Sequence, residues 1–315
     1  MKRTVTSVTP NAVLKQLSPI FRNRIIAAHG ELGEEWLEDL PTLLEKYFSK
    51  WSLTELRVVP FLSCNLVLQG LHPSYGTVIL KTGVLGADLR SELQSLRLFD
   101  GHGCVKLLES SPSEGIFLLE GLMPGEMLDG QEETEALSIC GGVIRRLHER
   151  NSDLKVLNSC RQLDSYLSEF RKLHGVIRAK NIDFDLSLLG LAESEFEELL
   201  ATSVEKKLLH GDLHHFNILS SHRDRWLAID PLGLVGDPAY ECAAFLRNPY
   251  MNILERPNIR EVLKHRIRFL SRYLEQDERR IARWGFAQTV LAAGWFVQED
   301  VQEWKNWHEL AKIFP

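Results

Sequence analysis

The feature that most constrains this chain is the stretch Leu208 to Pro231, "LLHGDLHHFNILSSHRDRWLAIDP". Two strand-like runs, "FNILS" and "RWLAID", flank the polar "SHRDR", a hairpin by pattern. With the turn centred on Arg223–Asp224, Asn217 falls opposite Asp230. An amide oxygen and a carboxylate then share one end of a two-stranded ribbon. Hard oxygen donors of this kind suit Mg²⁺, which takes one or two carboxylates and leaves its other positions to substrate phosphates and water. Asp212 lies on the loop entering the ribbon and faces the same space without sharing a strand.

That placement allows a division of labour. Asp212 would accept the proton of a substrate hydroxyl while Asn217 and Asp230 hold metal on phosphates. Phosphoryl transfer asks the protein for positioning and cancellation of charge more than for covalent chemistry. The spacing D-x-x-x-x-N, followed by an aspartate at the end of a strand, is the pattern of kinase-type catalytic loops. A purely structural reading makes Asp212 and Asn217 turn formers and Asp230 a strand cap. A metal-hydrolase reading draws a zinc cluster from His210, His214, His215 and Asp212. Gly211 and the hairpin directly afterwards argue for loop over the helix such a cluster favours, and zinc leaves Asn217 and Asp230 without work.

Around this stretch the periodicities divide the chain. Residues 17–50 read as helix with one apolar face (Leu32, Trp36, Leu37, Leu40, Leu43, Leu44, Tyr47), bent or divided at Pro41. Strand candidates "TELRVVPF", "CNLVLQG" and "GTVILK" follow, then the helix "GADLRSELQSLRLFD" and the strand pair "CVKLLES" and "GIFLLEG". Beyond Gly121, "LMPGEMLDGQ" reads as a turn-rich connector, and helices dominate at 132–150, 161–178, 192–202, 258–275 and 277–298. The expectation is an α+β chain of two lobes, 1–121 for nucleotide and 122–315 for the catalytic loop and acceptor, with a cleft between them as the binding place.

Composition bounds the partners. The net charge of −6 gives no support for nucleic-acid binding. The five cysteines form no C-x-x-C pair, and their odd number favours reduced thiols over a disulfide framework. The start "MKRTVTSVTPNAV" lacks the apolar core of a signal peptide, and no run of ~18 apolar residues offers a membrane span. The expectation is a cytoplasmic protein without a membrane partner.

The runs "LLHGDLHHFNILS" and "WLAIDPLGLVGDPAYE" resemble the aminoglycoside phosphotransferases, in their streptomycin 6-kinase and hydroxyurea phosphotransferase branch. The resemblance extends over most of the chain, from "EEWLEDLP" to "GWFVQED", and is looser towards the C-terminus. It implies a protein-kinase-like fold, a nucleoside triphosphate (ATP, or GTP in its place) with Mg²⁺, and a small-molecule hydroxyl as acceptor. By position, Asp212 matches the catalytic base, Asn217 and Asp230 the metal ligands, Lys81 the triphosphate lysine and Glu92 its ion-pair partner. The residues agree: Lys81 alternates off an otherwise apolar strand, and Glu92 lies between Leu89 and Leu96 on an inward helix face, where a carboxylate wants a partner. The resemblance also places a purine-holding hinge in "LLEGLMPG", near Glu120 and Leu122.

Two departures stand out. "VVPFLSCNLVL" has no glycine where a phosphate-binding loop is expected, leaving Ser63 and Asn65 as candidates, and a glutamate, Glu241, stands where "GDPAYD" is the familiar run. A polycationic acceptor calls for carboxylates and flat surfaces. The candidates are Asp237, Glu241, Trp295, Glu299 and Asp300, against the alternatives of a helix cap for Asp237, a solvated helix end for Glu299 and Asp300, and a core position for Trp295. The reading is a kinase for a streptomycin-like aminoglycoside. Its rivals are a kinase for another amino alcohol or sugar, and a nucleotide-binding pseudokinase, which rests on the glycine-free loop alone.

Overall fold

The computed structural model describes residues 9–60, 62, 64–149, 154–249, 253–298 and 301–315. The chain divides into two compact units, Met1–Gly101 with Val105–Gly125, and His102–Cys104 with Glu126–Pro315. The first is built on a sheet and the second mainly on helices, an α+β arrangement.

The first unit opens with α1 (Pro10–Leu14), α2 (Pro19–His29) and α3 (Glu31–Lys50). Ser18 caps α2 by accepting the Phe21 N–H, and Pro19 follows at the first helical position, where its missing N–H costs nothing. The break between the long helices is not at Pro41, which lies inside a continuous α3. It is at Gly30, whose φ of 57° is open to glycine at no steric cost. The turn brings α2 and α3 so close that a Cβ on Gly33 would sit 2.7 Å from the Ile25 carbonyl oxygen. Leu40, Leu44 and Tyr47 of α3 belong to one core with Leu66, Leu68, Val78 and Leu80 of the sheet.

That sheet contains β1 (Thr54–Val58), β2 (Leu66–His72), β3 (Gly76–Thr82), β4 (Leu107–Ser111) and β5 (Ile116–Glu120), antiparallel in the order β1-β2-β3-β5-β4. The first strand ends before Pro60, a residue with no N–H to give the ladder. Between β3 and β4 lies α4 (Ala87–Phe99).

The stretch expected as a turn-rich connector holds a strand, β6 (Pro124–Met127), whose Glu126 N–H donates to Ser220 Oγ at 2.9 Å. The second unit continues with α5 (Glu133–Glu149), α6 (Leu154–Leu157), β7 (Arg161–Gln162), α7 (Leu167–Lys180), α8 (Leu186–Ala201), β8 (Lys207–Leu209), β9 (Ile218–Ser221), β10 (Arg225–Ala228), β11 (Leu234–Gly236) and α9 (Ala243–Leu246). It closes with α10 (Ile259–Leu274), α11 (Glu278–Gln298) and α12 (Trp304–Ala311). Two small sheets, β10-β9-β6 and β7-β11-β8, frame the catalytic-loop candidate. Arg266 of α10 is fully buried and satisfies the carbonyls of Phe245, Leu246 and Asn248, while its Nε donates to Glu133 Oε1 at 2.6 Å. One guanidinium thus ends α9 and ties it to the start of α5.

Candidate active site

The hairpin forms with a register one residue away from the expected one. Arg225 pairs with Ser221 and Ala228 with Ile218, so the turn centres on Arg223 and the Ile229 N–H, not Asp230, meets the Asn217 carbonyl at 2.9 Å. A one-residue slip in a strand reverses the facing of every side chain beyond it. Here Asp230 leaves the ladder in a left-handed conformation, φ 58°, on the exposed surface. Asn217 ends a short 3₁₀ turn, and its Nδ2 donates to the Asp212 carbonyl at 3.0 Å. With the NH₂ end of the amide committed inward, Oδ1 is turned the other way.

The loop before the hairpin is fixed by its backbone. Gly211 has φ 86°, and a Cβ there would meet Leu234 at 2.9 Å, so both conformation and space demand glycine. Glu241 takes the N–H of His210 on Oε2 (2.7 Å) and of Gly211 on Oε1 (2.9 Å), and His148 Nε2 stands 3.3 Å from Oε2. Burial pushes the Glu241 carboxyl up, but His148, His210 and the Gly211 N–H outweigh it and hold it below its usual range. His210 is fully buried. Its Nδ1 accepts the Asp212 N–H (3.3 Å) and its Nε2 meets the Ile229 carbonyl (2.7 Å), linking the loop of Asp212 to the strand that delivers Asp230. Burial depresses its basicity, in keeping with a neutral ring bridging two backbone groups.

Asp212 stands half-buried between two side chains. Oδ1 accepts from Arg247 Nη2 at 3.0 Å, and Oδ2 lies 3.4 Å from His214 Nε2. Burial raises the carboxyl's pKa, but His214 and Arg247 more than reverse this and hold it well below the usual carboxylate range. The histidines therefore have tasks other than zinc. His214 accepts the Phe216 N–H through Nδ1 (3.2 Å), and His215 stacks on Phe245 with ring centroids 4.0 Å apart. Among the described residues no group of three or more His, Cys, Asp or Glu side chains is placed to hold a metal. Asn217 Oδ1 and the exposed Asp230 carboxylate are donors of the other kind, which a hard cation takes beside substrate oxygens and water.

In the first unit, Lys81 Nζ lies 2.6 Å from Glu92 Oε1, with both side chains nearly sealed from solvent. Lys81 pairs across the sheet with Val67 and Phe117, on the opposite pleat from Val78 and Leu80, which face the core. Glu92 projects from α4 between the buried Leu89 and Leu96. Asn65 lies against Gly83, where a Cβ would come 2.0 Å from Asn65 Oδ1; Ser63 lies outside the described residues. Glu120 exchanges backbone and side-chain contacts with Lys106, its N–H donating to the Lys106 carbonyl at 3.0 Å, so that N–H is taken. Leu122 is buried just past Gly121, whose N–H binds the Thr77 carbonyl.

The acceptor candidates fare differently. Glu241 is spent on the catalytic-loop backbone. Asp237 is buried, caps the following turn through the Ala239 N–H, and holds Arg280 and the Trp284 indole N–H. Both carboxylates are engaged inside the second unit: Asp237 is the cap that its sequence position allowed, and Glu241 corrects the expectation that it faces an acceptor. Trp295 is half-buried, edge-on to Tyr166 at 5.5 Å. Glu299 and Asp300 lie outside the described residues. Sequence reasoning did not single out Arg247, which carries no spacing signal relative to Asp212.

The model of the aminoglycoside/hydroxyurea antibiotic resistance kinases matches residues 50–300. A streptomycin 6-kinase of Streptomyces glaucescens is 29% identical over 273 residues, covering 86% of this chain and 88% of that protein. A hydroxyurea phosphotransferase of Kitasatospora aureofaciens is 31% identical over 226 residues, 70% of this chain and 65% of its own length. Among solved structures, the choline kinase LicA from Streptococcus pneumoniae superposes with a TM-score of 0.62 at 16% identity, over 86% of this chain and 97% of that one, a likeness of fold.

Proposed function

Because the chain belongs to the aminoglycoside/hydroxyurea antibiotic resistance kinase family, we propose that it transfers the γ-phosphoryl group of ATP, with Mg²⁺, to a hydroxyl of a streptomycin-like aminoglycoside. The observation that carries the reading is the second unit's loop and hairpin: an Asp212 carboxylate held by Arg247, an Asn217 amide whose nitrogen is committed, and an exposed Asp230.

Each residue has a role. Asp212 accepts a hydrogen bond from the acceptor hydroxyl and orients its oxygen toward the γ-phosphorus. As the new P–O bond forms and the bond to the departing diphosphate breaks, the hydroxyl proton passes to Asp212. A carboxylate of depressed basicity takes that proton late, after the bond to phosphorus has made the hydroxyl acidic. Asn217 and Asp230 would hold Mg²⁺, which supplies cancellation of phosphate charge. Lys81, oriented by Glu92, binds triphosphate oxygens, with Asn65 and Ser63 as further phosphate contacts and the backbone near Glu120 and Leu122 for the purine. The odd number of cysteines, with no C-x-x-C pair among them, suits a reducing cytoplasm.

The relatives named for streptomycin favour that acceptor over a simple amino alcohol, and the paired Lys81–Glu92 speaks against a pseudokinase despite the glycine-free loop. The test is to incubate the protein with Mg²⁺ and ATP, then GTP, against streptomycin, other aminoglycosides, choline, ethanolamine and hydroxyurea, and to read added phosphate by mass spectrometry. Phosphorylated streptomycin is expected. Phosphate on choline alone would move the enzyme to another acceptor class, and nucleotide binding without any product would mark a pseudokinase.

A further inference from the structure

The Asp212 carboxylate is not held by its own loop alone. Its Oδ1 accepts from Arg247 Nη2, and Arg247 follows α9, 35 residues further along the chain. Arg247 is in turn held from two more directions. Its Nε donates to Gln288 Oε1 of α11 at 2.8 Å, and its guanidinium lies over the Trp307 ring of α12, 5.0 Å from the centroid. The Arg247 side chain is 8% exposed and Gln288 1%.

A guanidinium is a rigid plane with its N–H groups in a fixed fork. Gln288 sets the direction of that plane from one edge, and the indole face sets its tilt. The remaining N–H then meets Asp212 from a determined angle. A carboxylate's terminal torsion is otherwise broad and roughly two-fold, so this contact decides which oxygen is occupied and where the other points. We infer that Arg247, clamped by Gln288 and Trp307, is a positioning residue that fixes the rotation of the Asp212 carboxylate for the acceptor hydroxyl. Helices α11 and α12 thereby act on the reaction through one cation.

The inference rests on Asp212 serving a phosphoryl transfer, and the experiment separates the two. Steady-state kinetics would be measured on the whole protein for wild type, Arg247→Lys, Gln288→Met and Trp307→Leu, with Trp307→Phe as the variant that keeps a flat face. Lysine keeps the charge but cannot bridge Gln288 and Asp212 as a planar fork. A misplacement of about 1 Å costs on the order of 100-fold in rate. The expected result is a fall in kcat of roughly 10- to 100-fold for Arg247→Lys, with both KM values within about 2-fold. Smaller falls of the same kind are expected for Gln288→Met and Trp307→Leu, and recovery in Trp307→Phe. Arg247→Ala should regain part of its kcat when guanidinium ion is added at non-denaturing concentration, which a merely structural arginine would not do. If Arg247→Lys keeps wild-type kcat, or if kcat, KM and melting temperature all move together without guanidinium rescue, the positioning role is wrong while the kinase reading stands. If wild type transfers no phosphate to any acceptor, the kinase reading falls and takes this inference with it.

Discussion

Asp212 works in company: one oxygen faces Arg247, the other faces His214, and its backbone N–H and carbonyl are taken by His210 and Asn217. Replacing it with asparagine keeps the shape and removes the proposed proton acceptor. Asp212→Asn is expected to lower kcat by about 10²- to 10⁴-fold with nucleotide affinity nearly unchanged, read by steady-state kinetics beside equilibrium nucleotide binding. Glu241 gives the opposite pattern. Glu241→Ala strips the partner from two buried N–H groups, and the expected loss is roughly 2–4 kcal/mol of stability in denaturant melts; an intact melt with a raised acceptor KM would return Glu241 to the acceptor side. Asp212 and Asn217 were legible as neighbours because loop and ribbon chemistry is local. Glu241 and Asp237 were legible as carboxylates near that loop, but not as buried ones: which partner a carboxylate takes is decided by packing, here the His210 and Gly211 N–H groups and Arg280. Arg247 reaches Asp212 only through the packing of α11 and α12, so no spacing rule could have named it.

At the scale of elements, the hairpin existed in the pattern and its register did not. Two apolar runs and a polar turn are compatible with centres at Arg223 or between Arg223 and Asp224, and only the formed ladder selects the first. The helix break went to Gly30 and not Pro41 because a left-handed residue ends a helix, whereas a proline within one costs a single hydrogen bond that surrounding packing can outweigh. The start of α5 depends on charge. Glu133 accepts from Arg266 and Arg256, and although burial raises its carboxyl, these two arginines lower it from 4.5 to about 2. A depressed carboxyl stabilises the fold fully above its unfolded pKa and loses that contribution as pH falls toward the folded value. Glu133→Gln should therefore cost roughly 2–3 kcal/mol at pH 7. The gap to wild type should narrow below about pH 4.5 and close near pH 2. Urea midpoints across that range check it; a gap independent of pH would mean that the ion pair is not what Glu133 contributes.

At the scale of the molecule, the α+β class was readable because the sheet-period runs gather between Thr54 and Glu120, while helix-period runs dominate beyond Gly121. The acceptor was not readable, since two of the five residues put forward for it are structural and two lie outside the described residues. The residues of the proposed reaction divide between the units: Lys81 with Glu92 in one, Asp212, Asn217 and Asp230 in the other. Lys81→Ala should accordingly raise the nucleotide KM and lower kcat/KM, while Asp212→Asn acts on kcat. Phosphoryl transfer through Asp212 is tested by acceptor-dependent release of nucleoside diphosphate by wild type and Asp212→Ala, followed as Mg²⁺ is titrated. Turnover is expected to require both Mg²⁺ and acceptor and to disappear in the variant while the variant still binds nucleotide. Turnover that persists in Asp212→Ala, or that proceeds unchanged after Mg²⁺ is chelated, would contradict it.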